Sequence, residues 1–166
     1  MVIFVMGTTG AGKTTVGKLI ARRLGWIFLD ADDFHPPANI EKMKHGIPLT
    51  DADRAPWLAN MHSRLAQLTA KKKDAVLACS ALKQSYRDTL SAGLDFRIVY
   101  LRGTYEQMRK HILARRGHFA GESILAGQFA DLEEPTDALT LDVAGTPEDL
   151  TNRAIEGLGL TPSPTH

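Results

Sequence analysis

The chain has 166 residues, with 20 Lys plus Arg against 19 Asp plus Glu and a single cysteine, Cys79. That length supplies one domain with one sizeable core, the balanced charge offers no field for nucleic acid or a membrane surface, and one cysteine excludes an intrachain disulfide. No stretch approaches the roughly 20 apolar residues of a spanning helix, and no charged leader with an apolar core precedes the first strand, so a soluble cytoplasmic protein is expected.

Apolar runs alternate with helical patterns along the chain, the order of a parallel sheet covered by helices. Strands are predicted at about Val2–Met6, Trp26–Asp30, Ala75–Cys79, Phe96–Leu101 and Ala138–Asp142. Directly after the first lies Gly7-Thr8-Thr9-Gly10-Ala11-Gly12-Lys13-Thr14, which fits the phosphate-loop pattern G-x-x-x-x-G-K-[ST] in its strand-loop-helix context. Its glycines let successive backbone N–H groups, continuing to Thr15, surround phosphate oxygens at the positive end of the following helix. Lys13 is expected on the β- and γ-phosphates of ATP, and Thr14 on Mg²⁺. The first helix runs from about Lys13 to Leu24, with Val16, Leu19, Ile20 and Leu24 on one face and Gly25 as its stop.

The second strand ends in Asp30-Ala31-Asp32-Asp33, at the sheet edge where the phosphate loop opens. The third runs instead into Cys79-Ser80-Ala81-Leu82-Lys83, without a carboxylate, so the acid for the metal is sought in the second. If the strand stays extended, Asp30 and Asp32 share one side and Asp33 takes the other. Asp30 is assigned to Mg²⁺ through water, and Asp32 to the acceptor hydroxyl as base or orienting group; the alternative is that these acids cap the next helix.

Residues 34–56 are rich in polar punctuation and longer than a connection needs, which suggests a substrate-binding insert. His35 lies in it, with Arg54 near its end. Arg54, Lys83 and Arg87 are candidate cations for an anionic acceptor, since arginine forks suit a carboxylate, and Ser80 is placed beside the same pocket. Arg54 has a second reading as a partner of Asp51 and Asp53, which can themselves cap a helix. That helix is expected to begin at Pro56, a good first helical position, and to end at Lys71-Lys72-Lys73. Cys79, closing a buried strand, is read as a small hydrophobe.

After the fourth strand, Arg109, Lys110, Arg115 and Arg116-Gly117-His118-Phe119 set positive charge beside a glycine, the composition of a lid spanning about 115–128. Arg116 is the first choice for the catalytic lid arginine and Arg115 the second. Gln128 is a candidate to hold the lid back, and Thr161 to His166 reads as a flexible tail on a single domain of about 1–160.

Together, Gly7–Thr14, Leu29-Asp30-Ala31-Asp32-Asp33-Phe34-His35-Pro36, Pro48-Leu49-Thr50-Asp51-Ala52-Asp53-Arg54-Ala55-Pro56-Trp57-Leu58, Cys79-Ser80-Ala81-Leu82-Lys83, Tyr86-Arg87-Asp88, Arg116-Gly117-His118-Phe119 and Gln128 to Pro135 closely resemble the gluconate kinases, from residue 2 to about 150. Thr8 and Thr9 depart from the more usual small residue and serine of that loop. The resemblance implies a three-layer α/β phosphate-loop kinase related to shikimate kinase, with sheet order 2-3-1-4-5. It also implies a homodimer, ATP with Mg²⁺, and D-gluconate as acceptor. Two rivals are a kinase of the same fold acting on another small acceptor, such as shikimate or a nucleoside monophosphate, and a nucleotide switch, whose N-K-x-D guanine motif is absent here.

Overall fold

In the computed structural model, which describes residues 1–116 and 122–164 without the side chains of Arg116 and Glu122, five short strands pair into one parallel sheet. They are β1 (Val2–Met6), β2 (Ile27–Asp30), β3 (Ala75–Ala78), β4 (Phe96–Arg102) and β5 (Leu139–Asp142), in the order β2-β3-β1-β4-β5. Each boundary falls within one residue of its predicted place. The connections carry α1 (Lys13–Leu24), α2 (Pro37–Lys44), α3 (Asp51–Ala70), α4 (Gln84–Ser91), α5 (Tyr105–Arg116) and α6 (Glu122–Asp131), and α7 (Pro147–Gly157) closes the fold. No helix among the described residues is long and apolar enough to cross a membrane.

Strand β1 shows why the sheet is covered on both faces. All five of its residues are buried, and the period-two alternation divides them between two cores. Ile3 and Val5 join Val16 and Ile20 of α1 with Leu150 and Ala154 of α7. Val2, Phe4 and Met6 meet Met61 and Leu65 of α3 and Leu90 of α4. Each large apolar side chain buried this way contributes about 1.5 to 3 kcal/mol. The register aligns Val5 with Ala78 and Ala78 with Asp30, so β1, β3 and β2 deliver the phosphate loop, Cys79-Ser80 and the acidic turn to one edge.

Three expectations are corrected by the structure. Helix α3 begins at Asp51 rather than Pro56, because Thr50 and Asp53 form a reciprocal capping box: Asp53 N–H donates to Thr50 Oγ1 at 3.1 Å and Thr50 N–H to Asp53 Oδ2 at 2.9 Å. Pro56 lies inside the helix, at the cost of one backbone bond. The chain after Asp30 does not stay extended but turns through the 3₁₀ segment Ala31–Phe34, whose first free N–H, that of Asp32, is accepted by Asp30 Oδ1 at 3.0 Å. The tail is tied down at Ser163, whose N–H reaches Arg23 O at 2.8 Å and whose hydroxyl reaches Leu24 O at 2.6 Å. Thr165 and His166 lie outside the described residues.

Within residues 34–56, α2 is fastened to the start of α3. Buried Asn39 donates to Asp53 O at 2.9 Å, and Lys42 Nζ lies 2.8 Å from Asp53 Oδ2. Two hydrogen bonds to the capped turn thus set where the insert stands over the sheet edge.

Candidate active site

A cavity of about 290 Å³ opens at that edge, lined by Thr9, Gly10, Gly12, Lys13 and Thr14 from the loop, Asp30 and Asp32 from the acidic turn, Ser80 after β3, Arg115 from α5 and Gln128 from α6. Gly7, Thr8 and Ala11 are buried, while Thr15 is exposed on the first turn of α1. Gly12 caps α1 at φ 87°, and Gly10, at φ 86°, leaves no room for a Cβ, which would stand 2.8 Å from Met108 O of α5. The loop is therefore wrapped so that backbone donors and the helix end face one space.

Lys13 Nζ donates to Thr8 O at 3.0 Å. Burial lowers its pKa to about 8 against the opposing pull of the Asp32 and Asp30 carboxylates, and a polyanion beside it would favour the charged form. Asp30 Oδ2 accepts from Thr14 Oγ1 at 3.2 Å. A hydroxyl beside a carboxylate is a hard oxygen pair that suits Mg²⁺, which keeps several waters and takes the rest of its ligands from phosphate. No cluster of three or more His, Cys, Asp or Glu that could cage a metal occurs among the described residues.

Asp32 reaches solvent as a whole residue, yet its carboxyl is raised above the ordinary range, first by desolvation in the cavity and then by the Asp30 charge. Its neighbour His35 is stacked on Trp57, ring centroids 4.5 Å apart, and its pKa is lowered by burial and Arg54 against the pull of Asp32. Trp57 Nε1–H donates to Ala31 O at 2.7 Å and so pins the acidic turn. Cys79 is a buried thiol pushed up to about 12 by desolvation, which leaves it no nucleophilic character at neutral pH.

Arg54 and Lys83 do not line this cavity. They converge beside it on Tyr86, Arg54 at 5.8 Å and Lys83 at 5.6 Å from the ring centroid, and on Asp51, whose Oδ1 accepts from Tyr86 at 2.5 Å and from Lys83 at 3.3 Å. Arg54 Nη1 is 3.3 Å from the Tyr86 hydroxyl and 3.9 Å from Asp51. His35, which feels the charges of both Asp32 and Arg54, joins the two groups. The pairing of Arg54 with Asp51 matches the second reading of that arginine, and it leaves a side-chain cation pair arranged round a carboxylate.

Arg87 is where the structure departs most from expectation. It is 1% exposed, and its guanidinium donates to Ala81 O at 2.7 Å, Leu82 O at 3.1 Å, Gln84 Oε1 at 2.9 Å and Glu133 O at 2.8 Å. With both Nη groups bonded to the chain and Nε buried without a hydrogen-bond partner among the described residues, Arg87 holds the loop after β3, including Ala81 in the left-handed region at φ 43°, rather than offering itself to an acceptor. The side chain of Arg116, together with Gly117, His118 and Phe119, lies outside the described residues; Arg115 is at the cavity. One contributor and one contact were missed from sequence. Tyr86 stands three residues from Lys83 on α4, a spacing that could have revealed it. Gln128 meets Thr9 across 119 residues, a contact no local pattern announces.

The sheet order, the phosphate loop and the carboxylates at the neighbouring strand end define a phosphate-loop kinase of small molecules. A family model described as shikimate kinase matches residues 9–126. A gluconokinase of Gluconobacter oxydans is 48% identical, covering 81% of this chain and 76% of its own length, and a probable gluconokinase of Rattus norvegicus is 44% identical, covering 81% and 83%. The crystal structure of a gluconokinase from Sinorhizobium meliloti 1021 superposes with a TM-score of 0.85 at 41% identity, over 95% of this chain and 90% of that one. The chain belongs to the gluconokinase family.

Proposed function

We propose that the protein transfers the terminal phosphoryl group of ATP to the terminal hydroxyl of D-gluconate, giving ADP and 6-phospho-D-gluconate. The observation that carries this is one cavity shared by a phosphate-loop lysine and an acid of the turn after β2, Lys13 and Asp32, with the cations Arg54 and Lys83 beside it. Phosphoryl transfer needs positioning and charge neutralisation more than strong base catalysis. The loop amides and Lys13 hold the phosphates, Arg115 or Arg116 adds positive charge at the transferring group, and Asp32 orients the attacking hydroxyl and takes its proton. Thr14 and Asp30 hold Mg²⁺, which when bound offsets charge on the phosphates. Ser80, His35, Arg54 and Lys83 line the path of the sugar acid, the last two reading its carboxylate. A homodimer is part of the same reading and rests on the family resemblance alone, while a cytoplasmic place remains the expectation from the sequence pattern.

ADP release from ATP and gluconate tests the assignment. Lys13→Ala removes a charge that follows the phosphoryl group into the transition state, and turnover is expected to fall about 10³-fold with the fold intact. Asp32→Asn is expected to lower turnover about 10²-fold with ATP binding unchanged. Near-normal turnover in folded Lys13→Ala, or equal and small effects at Asp30 and Asp32, would sink it.

A further inference from the structure

Gln128 stands where donor and acceptor sites meet. Its Oε1 accepts the Thr9 backbone N–H at 2.6 Å, and the residue lines the same cavity as Lys13 on the donor side and Asp32 on the acceptor side. An N–H can only donate, so this contact fixes the orientation of the amide: Oε1 faces the loop and Nε2 carries two N–H donors. Among the described residues Nε2 has no hydrogen-bond partner. The amide is rooted in the phosphate loop at one end, and at the other its donors are without a partner among the described residues, in the cavity that Lys13 also lines.

We propose that Gln128 is a phosphoryl-contacting residue, its Nε2 donating to an oxygen of the terminal phosphate while its Oε1 holds Thr9. The bond to Thr9 removes the rotational freedom of a long side chain before substrate arrives, so the donors are placed without further ordering on binding. A carboxylate here would be a poor substitute. It could accept the Thr9 N–H equally well but would offer no donor and would set a negative charge against the phosphate. Selection of the terminal phosphate follows: a nucleoside triphosphate reaches Gln128 and a diphosphate does not.

The test separates the two ends of the amide and does not depend on which acceptor is used. Gln128→Glu keeps the length and the acceptor for Thr9, and Gln128→Met keeps the length alone. Affinities for ADP and for a non-hydrolysable ATP analogue are measured with Mg²⁺ on both variants, with thermal unfolding as the control for folding. In Gln128→Glu the analogue is expected to bind at least about tenfold more weakly and ADP within about twofold of wild type, with turnover of ATP about 100-fold down. In Gln128→Met the analogue loses less, because no charge is added, and still more than ADP does. If Gln128→Glu matches wild type for both nucleotides, or if both variants lose ADP and the analogue equally, Gln128 only braces the loop and the proposal is overturned. Gln128→Met carries the same ADP-against-analogue comparison should Gln128→Glu fail to fold.

Discussion

The hydroxyl of Thr14 lies 3.2 Å from Asp30 Oδ2, joining the first turn of α1 to the end of β2 across the mouth of the cavity. The two oxygens come from segments that the sheet register brings level, and in the proposed function they supply the protein's own contacts to Mg²⁺, with phosphate and water completing its shell. Asp30→Asn or Thr14→Val is expected to raise the Mg²⁺ concentration for half-maximal rate by about 10- to 100-fold, with affinity for metal-free ADP near wild type. A Mg²⁺ titration unchanged in both variants assigns the pair to capping instead.

Arg54 and Arg87 are expected to fail in different ways. Arg54→Ala removes a partly exposed cation from the Tyr86–Asp51 cluster, so the Michaelis constant for gluconate rises about tenfold to a hundredfold while that for ATP stays put. A neutral polyol with the same hydroxyls, a poor acceptor for wild type, is far less affected. Arg87→Ala instead strips four acceptors of a buried guanidinium and costs about 3 to 5 kcal/mol in urea unfolding. A stable Arg87→Ala with a raised gluconate constant would return that arginine to the acceptor site.

The five strands were legible because each is a short apolar run closed by turn residues, and the phosphate loop because its glycine and lysine spacing carries its own geometry. Less legible were features settled by competition between local signals. Pro56 looked like a helix start, but Thr50 and Asp53 cap one turn earlier, and an N-cap pair satisfies donors that the proline merely lacks. Arg54 and Arg87 read alike in sequence, as cations near a pocket. Only burial separates them, and burial depends on Glu133, 46 residues beyond Arg87. Gln128 was legible as part of a segment but not as a partner of Thr9, since the loop amide it meets has no sequence signature.

Asp53 gives a pH dependence with a definite sign. Hydrogen bonds from Lys42 and from the Thr50 backbone hold its carboxyl down at about 2, below the ordinary 3.8 of the unfolded chain. A depressed carboxyl contributes stability that is fully present above the unfolded value and is lost as pH falls towards the folded one. The melting temperature is therefore expected to fall between about pH 4 and pH 2, and Asp53→Asn to be less stable at neutral pH with a shallower fall over that window. Parallel melting curves for the two proteins across the window would show that the α2–α3 clasp does not titrate.

Catalytic preference among acceptors tests the central claim most directly. Purified protein with ATP and Mg²⁺ is assayed for ADP release with D-gluconate, other sugar acids, shikimate and AMP, and kcat/KM is compared at one temperature. D-Gluconate is predicted to exceed shikimate and AMP by at least about 100-fold, since a built carboxylate and hydroxyl site rejects an ill-fitting acceptor by several kcal/mol, and the product is predicted to carry phosphate on the terminal carbon. Faster turnover of shikimate or AMP than of gluconate, or no ADP release above the ATP-only rate with any sugar acid, contradicts it.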